Sequence, residues 1–294
     1  MTYQNVGEDN NTSNVKPVNK LTTRTSNLEI WQEIIALTRR LYIQAKRKPS
    51  ILIAGLIQPL LWLILFGALF QNIPINLRES NIQYGLFFSP GIIIFTAFNG
   101  SINAGLPLMF DREFGFLNRL LTCPLISKNS LLIASLYYIV TITIMQTSLI
   151  VIFNKIMFNN ISNIKQIIFI ISVTGMISIS IASISIALAF ILPGHIEFLA
   201  MILLINLPTL FSSTALAPLS FMPYWLQVIA CINPITYAIE ILREICINDL
   251  LIYQTSLIKT VWLNLNLENS LYILIIFNLI SIVLARVIIK YKCE

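Results

Sequence analysis

Six apolar runs, each near the roughly 20 residues a helix needs to cross a bilayer, dominate this 294-residue chain. They cover residues 51–70, 84–109, 129–153, 166–192, 198–217 and 270–289. Hydrocarbon offers no water to a backbone amide, so a spanning run must satisfy its own N–H and C=O groups, and runs of this length do so as helices. Only 11% of the residues are charged, 56% are hydrophobic and the mean hydropathy is +0.80. A soluble domain carries roughly 25% charged residues, so this chain cannot cover a globule with polar surface. The expected fold is an all-α membrane protein with six transmembrane helices.

Placement of the basic residues sets the orientation. Counting the N-terminus as cytoplasmic puts 14 of the 19 Lys and Arg residues on that side. The other five (Arg78, Lys155, Lys165, Arg243 and Lys259) fall opposite. Both termini are therefore expected to be cytoplasmic. Residues 1–26 are rich in Asn, Thr and Ser and read as a disordered polar tail without a signal-peptide apolar region. Residues 27–48 read as an amphipathic helix lying on the membrane. Its apolar stripe is Leu28, Trp31, Ile34, Ile35, Thr38 and Leu41. Its basic end holds Arg39, Arg40, Lys46, Arg47 and Lys48, suited to the helix dipole and to anionic headgroups.

Two segments between spans stand out. Residues 110–127, FDREFGFLNRLLTCPLIS, form the charged island between the second and third runs. At helical spacing Phe110, Phe114, Leu117 and Leu121 share a face, and Asp111, Arg112, Asn118 and Arg119 lie opposite. Pro124 ends that helix. A short amphipathic helix here would present Arg112, Glu113 and Arg119 to a soluble partner; a solvated charged loop is the plainer alternative. The second segment, residues 219–269, is too long for a turn and too apolar for a free loop. Asn233-Pro234 reads as an N-cap followed by proline at the first helical position. Two short helices broken there suit a re-entrant hairpin between the last two spans. Glu240 and Arg243, at i and i+3, would meet on one face of its second helix.

Chemistry is sparse. No Asp, Glu, Lys or Arg lies inside the six runs away from their ends, whereas a proton- or ion-coupled transporter usually needs such groups. No G-x-x-x-x-G-K-[ST] loop is present. The chain is thus expected to bind no cofactor or metal and to draw energy from elsewhere. The single histidine, His195, reads as a turn residue. Cys231 and Cys246 fall on one predicted side, where they could pair in an oxidising space. Ser172, Gly175, Ser178, Ala182, Ser185 and Ala189 form a small-residue stripe suited to close helix packing. Asn99, Asn103, Asn206 and Asn278 are expected to bond across helix contacts.

Two distant segments together resemble the membrane subunits of ATP-binding-cassette (ABC) exporters of the type-2 permease family. The first is Asp111-Arg112-Glu113-Phe114-Gly115 with Leu117, Arg119-Leu120-Leu121 and Pro124-Leu125. The second is Leu216-Ala217-Pro218-Leu219-Ser220, Met222-Pro223-Tyr224-Trp225-Leu226 and Asn233-Pro234-Ile235-Thr236-Tyr237, with Glu240 and Arg243. The resemblance covers residues 27–294, as one transmembrane domain. Abundant Ile and Asn, which have AT-rich codons, make the chain most similar to members encoded in red-algal plastid genomes. The resemblance implies a plastid membrane, or otherwise a bacterial inner membrane. It implies a homodimer in the lipid bilayer with a separate ATPase subunit, which holds ATP and Mg, and no nucleic acid. It implies that Asp111, Arg112, Glu113 and Arg119 belong to an ATPase-coupling helix. It also implies that Asn233, Pro234, Glu240 and Arg243 belong to the external re-entrant segment. The competing classes are an ABC-type subunit for cytochrome assembly, a lipid-modifying enzyme using Glu197 beside His195, and a structural assembly factor.

Overall fold

The computed structural model of the chain describes residues 27–70, 74–77, 80–116, 128–158, 164–247, 258–259 and 264–293. The tail 1–26 and residues 117–127, which include Arg119, lie outside the described residues. Ten helices carry the described fold, and two small antiparallel ribbons, unforeseen in the sequence, sit between them. The first ribbon pairs β1 (Pro74–Leu77) with β2 (Ser80–Gln83), and the second pairs β3 (Ile258–Lys259) with β4 (Asn264–Leu265).

Helix α1 (Asn27–Arg47) breaks from α2 (Pro49–Leu69) at Lys48, whose φ of −125° and ψ of 64° leave the helical region. The reason is local, because the residue before a proline is pushed out of the α conformation. The stripe expected on α1 divides in two. Ile34, Thr38 and Leu41 are buried, with Leu37 outside the expected stripe beside them, whereas Leu28, Trp31 and Ile35 are exposed. That stripe is wider than one helix contact, and α1 lies lengthwise on another helix, α5 (Lys128–Phe158). Ser130 Oγ donates to Glu33 Oε1 at 2.8 Å, and further along Tyr42 meets Thr141 through their hydroxyls and Tyr138 edge-on at 5.3 Å.

The core is built around α3 (Tyr84–Ile102), of which every residue but Leu86 and Gly100 is buried. A 3₁₀ turn (Asn103–Gly105) joins it to α4 (Leu106–Glu113). Pro107 causes that turn. It has no N–H to give the Asn103 carbonyl and its ring would crowd it, so the Leu106 N–H bonds Asn103 in the tighter i to i+3 pattern. Helix α6 (Ile164–Ile191) packs against α3, α5 and the last helix α10 (Leu267–Cys293). Ser178, Ala182, Ser185 and Ala189 are buried in those contacts, as their small size allows. Ser172 is exposed and Gly175 has no neighbour near it, so the stripe works over its second half only. Cys231 and Cys246 do not pair; both are buried free thiols.

Among the described residues, five helices (within α2, α3 with α4, α5, α6 and α10) are long and apolar enough to cross a bilayer, and a bent pair of shorter helices would make a sixth span if counted as one. The fifth expected run is shorter than its sequence suggests. Helix α7 (His195–Phe211) has 17 residues, about 26 Å. It still runs the height of the bundle. A Cβ on Gly105 would touch Phe198, near the start of α7, at 2.8 Å. A Cβ on Gly91, in the first half of α3, would touch Ala215, just beyond α7, at 2.8 Å. Helices α8 (Tyr224–Ile232) and α9 (Pro234–Ile247) follow, bent by 87° at Asn233, where the Asn-Pro pair places the break. Helix α9 is buried against α3, α6 and α10, while Phe221, Tyr224, Trp225, Ile229 and Ile232 of the α8 region are exposed.

Candidate functional site

The charged island begins within α4, which ends at Glu113. Helical backbone resumes at Phe116, and the rest of the island, residues 117–127, lies outside the described residues. Phe114 N–H still bonds the Phe110 carbonyl at 2.9 Å, and Gly115 N–H bonds Arg112 at 3.2 Å. Gly115 then turns left-handed at φ 72°. Only glycine enters that region without steric cost, and it is the usual helix stop. Phe114, expected on the apolar face, is 79% exposed.

The three charges before that stop each bind a different element. Arg40 of α1 pairs with Asp111, and its guanidinium stacks 3.8 Å over the Phe116 ring. Arg112 turns inward. Its Nη1 donates to the carbonyls of Ala189 at 2.9 Å and Phe190 at 3.2 Å. Its Nη2 donates to Leu192 and, at 2.7 Å, to Pro193. The last carbonyls of α6 have no helical partner and carry the negative end of its dipole, so Arg112 caps α6 from another helix. Glu113 Oε2 accepts from His195 Nδ1 at 2.5 Å, and the His195 ring sits 5.4 Å from that of Phe110. His195 is therefore the first residue of α7, tied to α4. Glu197 is not its partner; the Glu197 carboxylate folds back over Gly194, 2.7 Å from where a Cβ would stand.

Deeper contacts fix the same corner. Ser185 Oγ donates to the Ile102 carbonyl at 2.5 Å and accepts from Gly105 N–H at 2.9 Å. Helix α4 and the α6–α7 corner are thus locked together. Arg112, expected to face a partner, is spent on this lock. The surface left at the corner is the Glu113 side chain, 38% exposed, with Phe114 and Phe116 beside it.

At the opposite end of α7, the residues of the bent pair converge. Asn233 Oδ1 accepts from Ile235 N–H at 3.1 Å, which caps α9. Its Nδ2 donates to the Thr209 carbonyl at 3.2 Å and reaches Ser212 Oγ at 3.4 Å. Pro234 opens α9, where its missing N–H costs nothing. Glu240 and Arg243 meet as an i, i+3 ion pair. Arg243, only 4% exposed, also donates to the Thr214 carbonyl at 2.6 Å and reaches the Phe87 carbonyl at 3.4 Å. Its guanidinium lies 3.8 Å over the Phe87 ring.

Between these ends runs a chain of amides. Asn99 of α3 donates to Gln58 of α2 at 3.4 Å, and Asn206 of α7 donates to Asn99 at 3.3 Å. Asn278 bonds across to the Met176 carbonyl at 2.9 Å. Asn103 differs from expectation: it bonds back to the Asn99 carbonyl in its own helix at 2.7 Å. Sequence reasoning missed His195, Gln58 and the inward role of Arg112. Each has its partner 41 or more residues away, with no local signal to betray it.

The charged corner and the bent pair both lie within residues 32–247, which match the profile of the ABC-2 type transporter family. Three algal relatives extend the likeness, each provisionally named transport permease ycf38. That of Porphyra purpurea is 48% identical over 280 residues, 95% of this chain and 96% of its own. That of Cyanophora paradoxa is 48% identical over 259 residues, 88% and 89% of the two chains. That of Pyropia yezoensis is 47% identical over 279 residues, 95% and 96%. With its apolar bundle and both motif segments inside the matched region, the chain belongs to the ABC-2 type transporter family, as a multi-pass membrane permease.

Proposed function

We propose that the chain is the membrane-spanning subunit of an ABC exporter in a plastid membrane. It moves its substrate with ATP hydrolysed by a separate ATPase subunit, which holds ATP and Mg. The observation that carries this reading is the α4 corner, where Glu113 and Phe114 project from a helix that is locked to the bundle. A docking point must be rigid to pass on a partner's motion, and a charge beside an exposed aromatic suits a protein surface. The plastid assignment rests on the algal relatives and on their near full-length match.

The working unit is a homodimer. Gln58 is exposed halfway along α2, among Ala54, Ile57, Leu61 and Leu65. An amide facing lipid tails lacks half its hydrogen bonds, which costs free energy. A second copy packed on α2 covers that face and gives the Gln58 amide nitrogen an acceptor beside the bond its oxygen takes from Asn99.

ATPase stimulation by the reconstituted chain tests this reading. Glu113→Lys and Arg119→Glu are expected to lower stimulation about tenfold, the effect of losing roughly 1.4 kcal/mol of docking energy, with membrane insertion unchanged. Normal stimulation in the double reversal would defeat the assignment of this corner as the docking point.

A further inference from the structure

Helix α7 is fastened at its ends and loose along its length. Of its 17 residues only Phe198, Ile202 and Leu210 are buried. Between the contacts at its two ends, the Asn206–Asn99 bond of 3.3 Å is the one lateral polar bond from this helix to a neighbour among the described residues. Both ends are bound firmly. At one, His195 meets Glu113 while Arg112 grips the corner that α7 leaves. At the other, Asn233 takes the Thr209 carbonyl and Arg243 takes that of Thr214. Helix α3 runs alongside it but is buried at all but Leu86 and Gly100, so it is the fixed frame.

We propose that α7 is a rod that transmits displacement from the α4 corner to the bent α8–α9 pair, with His195 and Asn233 as the positioning residues at its two ends. The proposal rests on the reading of α4 as the ATPase docking point. An axial push on a helix meets stiff backbone hydrogen bonds. Sliding past its neighbours meets little resistance, because few side chains interlock. The receiving end is a sharp 87° bend. A small axial shift at Thr209 there becomes a rotation of α8, whose far side is exposed. Asn233 is suited to receive it, since one side chain both caps α9 and holds the end of α7.

The test uses the chain reconstituted with its ATPase in liposomes. An environment-sensitive thiol label on Trp225→Cys, in a Cys123→Ser/Cys293→Ser background, reports on exposed α8. Mg-ATP with vanadate should change the label signal in the otherwise native chain. Asn233→Ser keeps a capping oxygen for α9 but cannot reach Thr209. It should cut the signal change about fivefold or more while the chain still stimulates ATP hydrolysis. His195→Ala should also cut it, and His195→Gln, which can still bond Glu113, should restore it. A full signal in Asn233→Ser or in His195→Ala overturns the rod while leaving the permease reading intact. Absence of ATPase stimulation by the native chain overturns both.

Discussion

Arg243 holds its charge where almost no water reaches, and its position depends on four groups at once: the Glu240 carboxylate, two carbonyls and the Phe87 ring. Removing one partner of a buried pair strands the other, at a cost of about 3–5 kcal/mol. Arg243→Gln should therefore be the most harmful change here, because it strands Glu240 and two carbonyls together. Glu240→Gln should cost less, since Arg243 keeps the carbonyls and the ring. The double variant should cost about 2 kcal/mol less than the sum of the singles. Thermal unfolding of the three variants in detergent checks this, and strict additivity would mean the pair is not coupled. Gly115 is a second single-residue test. Its left-handed backbone should make Gly115→Ala cost about 1–2 kcal/mol, read as loss of helix at the α4 end by hydrogen exchange. At this scale the sequence reveals what is local. The Glu240–Arg243 pair is three residues apart and legible. Arg112 is legible as a charge but not as a cap, because its acceptors lie 77 to 81 residues on.

Among the elements, close packing is concentrated at a few places, and glycines mark one of them. A Cβ on Gly105 would stand 2.5 Å from the Ser185 carbonyl and 2.8 Å from the Phe198 ring. Gly105→Ala must push α4 away from the α6–α7 corner, at about 1–3 kcal/mol, and should also weaken ATPase stimulation. Gly175→Ala is the control. Nothing lies within 4 Å of its Cβ position, so the change should be neutral or stabilise α6 by up to about 1 kcal/mol. Melting temperatures of the two proteins compare them directly, and equal destabilisation would contradict the packing described. Spans and breaks are legible in the sequence because length, hydropathy and proline act locally. Asn233-Pro234 places the α8–α9 bend, and Pro49 separates α1 from α2. The turn at the end of α4 is legible in Gly115, whereas Leu117 and Leu121, on which the longer helix rests, lie outside the described residues. The division of the α1 stripe was not legible. Periodicity says which side chains share a face, and only the neighbour decides how much of that face is covered.

For the whole molecule, the charge split, with α7 as a sixth crossing, predicts an even number of crossings with both termini on the α4 side. Thiol labelling of Thr12→Cys and Lys292→Cys in sealed vesicles should modify both from the same face, and labelling from opposite faces would refute that topology. The arrangement also bears on how the chain is made. Helix α3 is the most enclosed of the long helices and, with α4, the least apolar of them. It carries Ser89, Thr96, Asn99 and Ser101 in its interior positions. Such a segment is a poor guest for lipid on its own. Synthesis delivers α3 before α5, α6 and α9, the helices that will enclose it. During that interval its polar groups must be sheltered by α2 or by the insertion machinery. A ribosome stalled after α3 would hold a span whose polar groups still lack most of their helix neighbours, so this helix sets the point in biogenesis at which the nascent permease is most exposed to quality control.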